Sequence, residues 1–206
     1  MHKIIIASAA VAASAFSGIA IAQQTAKVDQ ATVDRTVAAT FKSAPADWLK
    51  RIEQDETQKV CTQYRNELPK DEFTKVLARE AATLVFPADG QLIGDWKAGE
   101  KVAQTGTGGQ FSDGPTTAKG GNCYACHQMS RSEVSFGTLG PSLLEYGKVR
   151  KFAAVDAKAA YAKIYNAQSV LPCSNMPRFG HSKFLTEQQI RDLVALLFDP
   201  ESPVNK

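Results

Sequence analysis

The sequence has 206 residues, with 24 lysines and arginines against 21 aspartates and glutamates, and a formal net charge of +3 at pH 7. This near balance, without a basic tract, argues against a nucleic-acid partner. The length suffices for one hydrophobic core, or for a small domain with an extension. Of the three histidines, His2 lies in an N-terminal segment that we expect to be cleaved and His127 lies in a Cys-x-x-Cys-His motif. With one histidine left, we can assemble no Ser/His/Asp or Cys/His catalytic set.

Residues 1–22 have the pattern of a secretory signal peptide. Lys3 precedes an apolar, alanine-rich run from Ile4 to Ile21, which closes on Ala20-Ile21-Ala22, an A-x-A cleavage pattern. We predict cleavage after Ala22 and a periplasmic location; the alternative is an uncleaved membrane anchor. No later apolar run is long enough to span a bilayer, so we expect no membrane insertion after cleavage.

Residues 23–90 are predicted to form a helical N-terminal extension. Residues 23–45 lack a clear apolar face, so we interpret them as a partly ordered lead-in or a partner-binding arm. One helix is predicted over 46–65, capped by Asp47, and a turn at 87–90, where the sequence is Pro-Ala-Asp-Gly. A clearer amphipathic helix is predicted over 70–86, with one apolar face formed by Phe73, Val76, Leu77, Ala81 and Leu84.

Residues 91–206 are predicted to form an all-α domain without strands or repeats. A short helix is expected over 94–103, with glycine where close packing requires it, followed by a glycine-rich surface loop over 105–121. Asp156 is predicted to cap the next helix, whose buried face comprises Ala157, Ala160, Tyr161 and Ile164. The last helix begins at a capping box from Thr186 to Gln189 and buries a stripe of Ile190, Leu193, Val194 and Leu197.

The motif Cys123-Tyr124-Ala125-Cys126-His127 has the spacing at which a c-type haem is attached. Two thiols at this spacing can form thioethers to the two vinyl groups of one porphyrin, and the histidine then lies on one axial side of the iron. Zinc binding and thioredoxin-like chemistry are the competing interpretations of two cysteines at this spacing. The export signal favours haem, so we predict one covalent haem c on Cys123 and Cys126.

His127 is predicted to be the proximal iron ligand. Its other ring nitrogen needs a hydrogen-bond acceptor to fix the ring. The segment Leu139-Gly140-Pro141-Ser142-Leu143 resembles a Gly-Pro-x-Leu turn that recurs in cytochromes c after this motif, and the resemblance implies the Pro141 carbonyl as the acceptor; the alternative is an ordinary turn. The sixth ligand must come from the opposite face of the porphyrin. Met129 is too close to His127 in sequence, so Met176 is favoured, in a loop before Pro177. His181 remains an alternative.

A His127/Met176 pair would fill all six positions of the iron. Such a site transfers one electron at a time, and the thioether ligand raises the reduction potential. Substrate chemistry at the iron is then not expected. Four polar side chains are interpreted as surface residues, with haem propionates or an acidic partner as the alternative contacts: Arg178, Tyr146, Lys148 and Arg150.

Two cysteines, Cys61 and Cys173, remain once the haem has taken the other two. In an oxidising compartment such thiols tend to pair, so we predict a Cys61–Cys173 disulfide that fastens the extension to the second domain. The alternatives are a free thiol that binds a metal and an intermolecular link.

The haem motif and the helices around it lead us to interpret residues 91–206 as a class I-type cytochrome c domain. Residues 23–90 are its N-terminal helical extension.

Several segments resemble the SoxX family of monohaem cytochromes. The resemblance spans roughly residues 45–206 and rests on the haem motif, on Gly137-Thr138-Leu139-Gly140-Pro141-Ser142-Leu143, on the block Cys173-Ser174-Asn175-Met176-Pro177-Arg178-Phe179-Gly180-His181 and on the tail from Ala195 to Lys206. The haem motif is common to all cytochromes c. The block around Met176 and the tail are what narrow the resemblance to this family.

The resemblance implies a subunit of the sulfur-oxidising SoxXA complex, an L-cysteine S-thiosulfotransferase that joins thiosulfate to a cysteine of the SoxYZ carrier protein. In that family the catalytic haem belongs to the SoxA partner, so this chain would relay electrons to a soluble cytochrome c. Carried over to this sequence, Cys123 and Cys126 hold the haem, while His127 and Met176 bind the iron. A freestanding electron carrier and a haem enzyme or gas sensor are the competing hypotheses.

Overall fold

The computed structural model describes residues 27–42, 44, 46–110 and 112–206. The predicted signal peptide, residues 1–22, lies outside this range. The described residues form helices and turns without a strand, which confirms the all-α prediction. The α-helices are α1 (Gln30–Thr40), α2 (Ala46–Ile52), α3 (Glu56–Gln63), α4 (Lys70–Ala81), α5 (Trp96–Gln104), α6 (Tyr146–Val149), α7 (Ala154–Tyr165) and α8 (Glu187–Phe198). Short 3-10 helices cover Cys123–Ala125, Ala167–Ser169 and Pro203–Asn205.

Helix α8 is the centre of the hydrophobic core. Its predicted stripe is buried, and Ala195, Leu196 and Phe198 are buried as well, so other elements cover the helix on nearly every side. The predicted capping box is present: Thr186 accepts from the Gln189 backbone, and the Gln189 side chain accepts from the Thr186 backbone. A helix this fully covered gives the domain a rigid frame against which the loops are held.

Helix α5 crosses α8 at very short range. A Cβ atom at Gly99 would lie 2.0 Å from the backbone oxygen of Asp192, so only glycine lets the two backbones approach this closely. The side chain of Asp192 also accepts from the backbone N–H of Asp95, the N-cap residue of α5, at 2.9 Å. The prediction of glycine at a close-packing position is thereby confirmed.

Helix α7 begins three residues earlier than predicted. Its N-cap is Ala153, so the predicted Asp156 cap is wrong, and Asp156 lies in the first turn. Lys151 and Phe152 both have left-handed backbone conformations, which turn the chain into the helix ahead of Asp156. An acidic residue in a first turn still interacts favourably with the helix dipole. The four residues of the predicted face are all buried.

The single helix predicted over 46–65 is wrong: the structure has α2 and α3, separated at residues 53–55. Asp55 caps α3 through a capping box in which its carboxylate accepts from the Gln58 backbone at 2.8 Å and the Gln58 side chain accepts from the Asp55 backbone at 2.9 Å. These local bonds compete with helix continuation. Asp47 is the second residue of α2, not its cap.

Helix α4 ends at Ala81, five residues before the predicted end at residue 86. Of its predicted apolar face only Val76 is fully buried, while Phe73 stays partly exposed. The turn at 87–90 is confirmed, because the Gly90 N–H donates to the Pro87 carbonyl at 3.0 Å. Residues 30–40, expected to belong to a partly ordered lead-in, form α1, which has no buried residue.

No helix in the described ranges is both long and apolar enough to cross a lipid bilayer.

Candidate functional site: a haem-attachment turn and a tethered ligand loop

The Cys-x-x-Cys-His motif folds into a single helical turn. Cys123–Ala125 form a 3-10 helix, and the N–H groups of Cys126 and His127 donate to the Cys123 carbonyl at 3.1 Å and 2.9 Å. The turn is possible because Asn122, just before it, has a left-handed backbone conformation. Both thiols are free and half-buried. The turn therefore places two thiols and one imidazole within five residues.

The chain segment before the motif is fixed to the end of α5. Gly121 donates to the Val102 carbonyl at 2.8 Å, and Asn122 donates to the Thr105 carbonyl at 3.0 Å. A Cβ atom at Gly121 would lie 3.2 Å from the sulfur of Cys123, so a larger residue would press on that thiol. Burial raises the pKa of Cys123 to about 12. The thiol is thus protonated at neutral pH when no haem is attached.

The imidazole of His127 is oriented by the Pro141 carbonyl, as predicted. Its Nδ1 lies 2.7 Å from the Pro141 oxygen. A carbonyl only accepts, so in the neutral ring Nδ1 carries the proton, and Nε2 has a lone pair that could bind a metal. Gly140 packs directly against the ring: a Cβ atom there would lie 2.2 Å from Cε1 of His127. The Gly140 N–H also donates to the Cys126 carbonyl at 2.8 Å.

Met176 lies in residues 170–180, the segment that follows the 3-10 helix Ala167–Ser169, and we call this segment the Met176 loop. Met176 is half-buried and packs against the hydrophobic core, as do Cys123 and Leu143. Its backbone N–H donates to the Ser174 hydroxyl at 3.3 Å. Met129, excluded as a ligand because it is too close to His127, is buried in the core with 1% exposure.

The Met176 loop is fastened to the extension on both sides of Met176. The predicted disulfide between Cys61 of α3 and Cys173 is confirmed, and a free thiol or an intermolecular link at these residues is wrong. On the other side, Arg178 donates to Asp55 at 2.5 Å and to Glu80 at 3.3 Å. The expectation that Arg178 is a surface residue is therefore wrong, because its side chain is only 12% exposed.

Glu80 is the centre of a buried polar network. It accepts hydrogen bonds from Thr57 and, at 2.8 Å, from the Asn166 side chain, besides its ion pair with Arg178. Burial opposes the ionisation of Glu80, but these donors and the Arg178 charge hold its pKa below the ordinary value. The pKa of Asp55 is lowered too: burial opposes this, and the Gln58 N–H and Arg178 outweigh it.

Sequence reasoning missed this network because its members are far apart in the chain. Arg178 and Asp55 are separated by 123 positions, and Arg178 and Glu80 by 98. The sequence contains only an indirect signal for this network. Glu80 lies on the apolar face of α4, where a charged residue needs a partner, and Arg178 lies two residues after the proposed ligand Met176. Other basic residues remain at the surface, where Lys148 pairs with Glu145 at 2.9 Å.

The residues of this site fit a covalently attached haem. Two free thiols, an imidazole with an unprotonated Nε2 and a thioether in a fixed loop are the donor set that such a group requires. Among the described residues, no group of three or more His, Cys, Asp or Glu side chains is arranged to hold a metal ion. The ligand roles of His127 and Met176 stay predictions.

Comparison with known proteins agrees with this arrangement. Residues 97–198 match the family described as Cytochrome c. A protein of Aquifex aeolicus (strain VF5), described as an uncharacterized lipoprotein, is 37% identical over 190 residues, which cover 90% of this chain and 90% of that protein. The matched segment runs from α5 to the end of α8, so it contains the motif, the His127 turn and the Met176 loop. The fold is the predicted class I-type one, and residues 97–198 form a domain of the cytochrome c family, whose members carry covalently bound haem c and transfer electrons.

Proposed function

We propose that this protein is a monohaem c-type cytochrome that relays single electrons. Cys123 and Cys126 would hold the haem, and His127 and Met176 would bind the iron. The observation that carries this proposal is the His127 Nδ1 contact with the Pro141 carbonyl at 2.7 Å, which leaves Nε2 unprotonated for the iron. When bound, the haem supplies a reversible Fe(III)/Fe(II) couple.

The protein's own residues tune this couple in a definable way. The Pro141 carbonyl makes the imidazole of His127 more basic and fixes its orientation. The Met176 thioether favours the ferrous state relative to a second imidazole. With His127 and Met176 both bound to the iron, an external ligand would reach it only by displacing Met176, which argues against a haem enzyme or a gas sensor.

Met176→Ala is expected to abolish the methionine-to-iron charge-transfer band of the ferric protein and to let carbon monoxide bind the ferrous protein. The unaltered protein should show the band and resist carbon monoxide. Absorption spectra of both forms, with and without the gas, measure this. His181→Ala is the matched control, since it removes the alternative ligand. Persistence of the band in Met176→Ala, or its loss in His181→Ala alone, contradicts the assignment.

We further propose that this cytochrome is the electron-relay subunit of an L-cysteine S-thiosulfotransferase. Its partners would be a SoxA-type cytochrome subunit with the substrate site, a SoxYZ-type carrier protein and a soluble cytochrome c as acceptor. The support is the resemblance of the block from Cys173 to His181 and of the C-terminal tail to the SoxX family. A freestanding electron carrier with no role in sulfur oxidation is the alternative.

Purification of the protein from its native cells is expected to yield a complex with a second, haem-bearing subunit. The complex should reduce a soluble cytochrome c when thiosulfate and the carrier protein are supplied, and Met176→Ala should slow this reduction. A complex that keeps its thiosulfate-dependent rate after removal of this chain would contradict the relay role. A lone chain that exchanges electrons without thiosulfate would favour the alternative.

We propose a periplasmic location, on the basis of the predicted signal peptide in residues 1–22. The Cys61–Cys173 disulfide supports a compartment that is oxidising. Covalent haem on Cys123 and Cys126 would then be attached after export.

A further inference from the structure

The Met176 loop is held by two different kinds of link to the N-terminal extension. Cys173, three residues before Met176, is bonded to α3 through Cys61. Arg178, two residues after Met176, contacts the start of α3 at Asp55 and the last turns of α4 at Glu80. Met176 therefore lies between two fixed points of the loop, Cys173 and Arg178. The residues that hold these two points belong to the N-terminal extension, which is far from the loop in sequence.

Both acceptors of Arg178 are themselves held in place. The Oδ1 atom of Asp55 accepts from the Gln58 N–H within the capping box, which leaves Oδ2 for Arg178. Glu80 is 3% exposed and also accepts from the Asn166 side chain at 2.8 Å. A guanidinium can bridge two carboxylates because its N–H donors lie in a fixed planar fork, which an ammonium group lacks.

Inside the loop, Met176 has weaker support of its own. Its N–H donates to the Ser174 hydroxyl at 3.3 Å, and the backbone N–H of Ser174 donates to the Leu171 carbonyl at 3.2 Å. Both distances are longer than the most common N–H···O distance of about 2.9–3.0 Å. The Met176 side chain is only half-buried. The position of its sulfur therefore depends on where the two fixed points hold the backbone.

From this geometry we propose that the N-terminal extension is a clamp for the axial-ligand loop, and that Arg178 is a positioning residue for Met176. The inference rests on the proposed function, in which Met176 binds the iron. A loop tethered on both sides opens less often, so a thioether that leaves the iron is returned to it before another ligand enters. The extension, which a minimal haem domain does not require, thereby keeps the sixth position closed.

The test compares Arg178→Lys with the unaltered, haem-loaded, full-length protein. Lysine keeps the charge but has a single nitrogen in place of the two that contact Glu80 and Asp55 separately, so it loses this two-point geometry. Cyanide enters the ferric site only after the thioether has left, so its binding rate reports loop opening. We expect the rate to rise about tenfold, which corresponds to about 1.4 kcal/mol in the free energy of opening. Hydrogen exchange of the backbone over residues 170–180 should accelerate as well.

Arg79→Lys is the matched control. Arg79 belongs to the same network, since its Nε donates to Thr57 at 2.9 Å and lies 3.9 Å from Glu80. Neither of these two contacts is to the Met176 loop. Asp55→Asn is the second variant. Asparagine is as good an N-cap as aspartate, so α3 keeps its cap while the ion pair with Arg178 is lost. Cyanide binding should accelerate in Asp55→Asn and remain unchanged in Arg79→Lys.

Three results overturn the inference in distinguishable ways. If the unaltered ferric protein lacks the methionine charge-transfer band, the Met176 assignment fails and the clamp fails with it. If the band is present but cyanide binds at the same rate in the unaltered protein, Arg178→Lys and Asp55→Asn, the clamp alone is wrong. An equal acceleration in Arg79→Lys also overturns it, because the effect would then follow from general destabilisation of the network.

Discussion

Replacement of Cys61 and Cys173 together by alanine is expected to lower the free energy of unfolding by about 2–5 kcal/mol. The disulfide joins residues 112 positions apart. In the chain-entropy description a closed loop of this length restricts the unfolded chain by close to 5 kcal/mol, about the upper end of the range. Packing in the folded protein adds to this loss of stability. Cys61 is 6% exposed, and its replacement by alanine leaves a small gap in a packed region.

Urea unfolding of the haem-loaded protein, followed by far-ultraviolet circular dichroism, measures this loss. The unaltered protein in dithiothreitol is the control: it should move towards the double variant, while the double variant itself should not respond to the reductant. A difference smaller than about 0.5 kcal/mol, as for a typical surface substitution, would contradict the expectation. It would mean that the extension is held to the second domain by its non-covalent contacts alone.

The parts of this fold that could be predicted from the sequence are those that short-range patterns determine. The stripe and capping box of α8 follow from residue spacing within twelve positions, and the structure has both. The contact between His127 and the Pro141 carbonyl spans only 14 positions and lies within one stretch of loop. In such segments the local sequence and the final fold require the same conformation.

The parts that could not be predicted are those in which a long-range contact decides the local structure. The break between α2 and α3 has a local cause in the capping box of Asp55 and Gln58, but nothing near residue 55 in sequence shows that Asp55 must also face Arg178. Arginine is a residue type that usually lies at the protein surface, so the sequence alone does not indicate that Arg178 is buried. Its burial becomes understandable only when α3 and α4 have placed Asp55 and Glu80 around it. Pairwise contacts across about a hundred residues leave no periodic pattern in the chain.

Glu80→Leu is expected to lower the free energy of unfolding by about 3–5 kcal/mol, because it removes the acceptor from a buried, charged network. The side chain of Glu80 is 4% exposed. Without it, Asn166 and Thr57 lose a hydrogen-bond partner and Arg178 keeps only Asp55. Glu80→Gln retains the shape and one oxygen, so we expect about 1–3 kcal/mol.

Glu72→Gln is the matched control on the same helix. Glu72 pairs with Lys75 at 2.9 Å on the outer side of α4, where the lysine side chain is 67% exposed. An ion pair of this kind contributes less than about 1 kcal/mol. If Glu72→Gln and Glu80→Leu reduced the free energy of unfolding equally, the buried network would have no special role in stability.

The effect of Glu80→Leu should also depend on pH in a defined direction. The folded state holds the pKa of Glu80 below its ordinary value of 4.5, so ionised Glu80 stabilises the fold at any pH above that value. This contribution is lost as the pH falls through the lowered pKa of the folded state. The stability difference between the unaltered protein and Glu80→Leu should therefore be constant near neutral pH and shrink in acid.

Urea unfolding at a series of pH values from neutral to strongly acidic tests this dependence. Asp55, whose pKa is also lowered from its ordinary value of 3.8, is present in both proteins, so its acid-induced loss largely cancels in the comparison. A difference that stays constant through the acid range would show that Glu80 is not held ionised by Arg178 and its neighbours. A difference that shrinks below pH 4.5 links the stability of the clamp to the charge at the centre of the network.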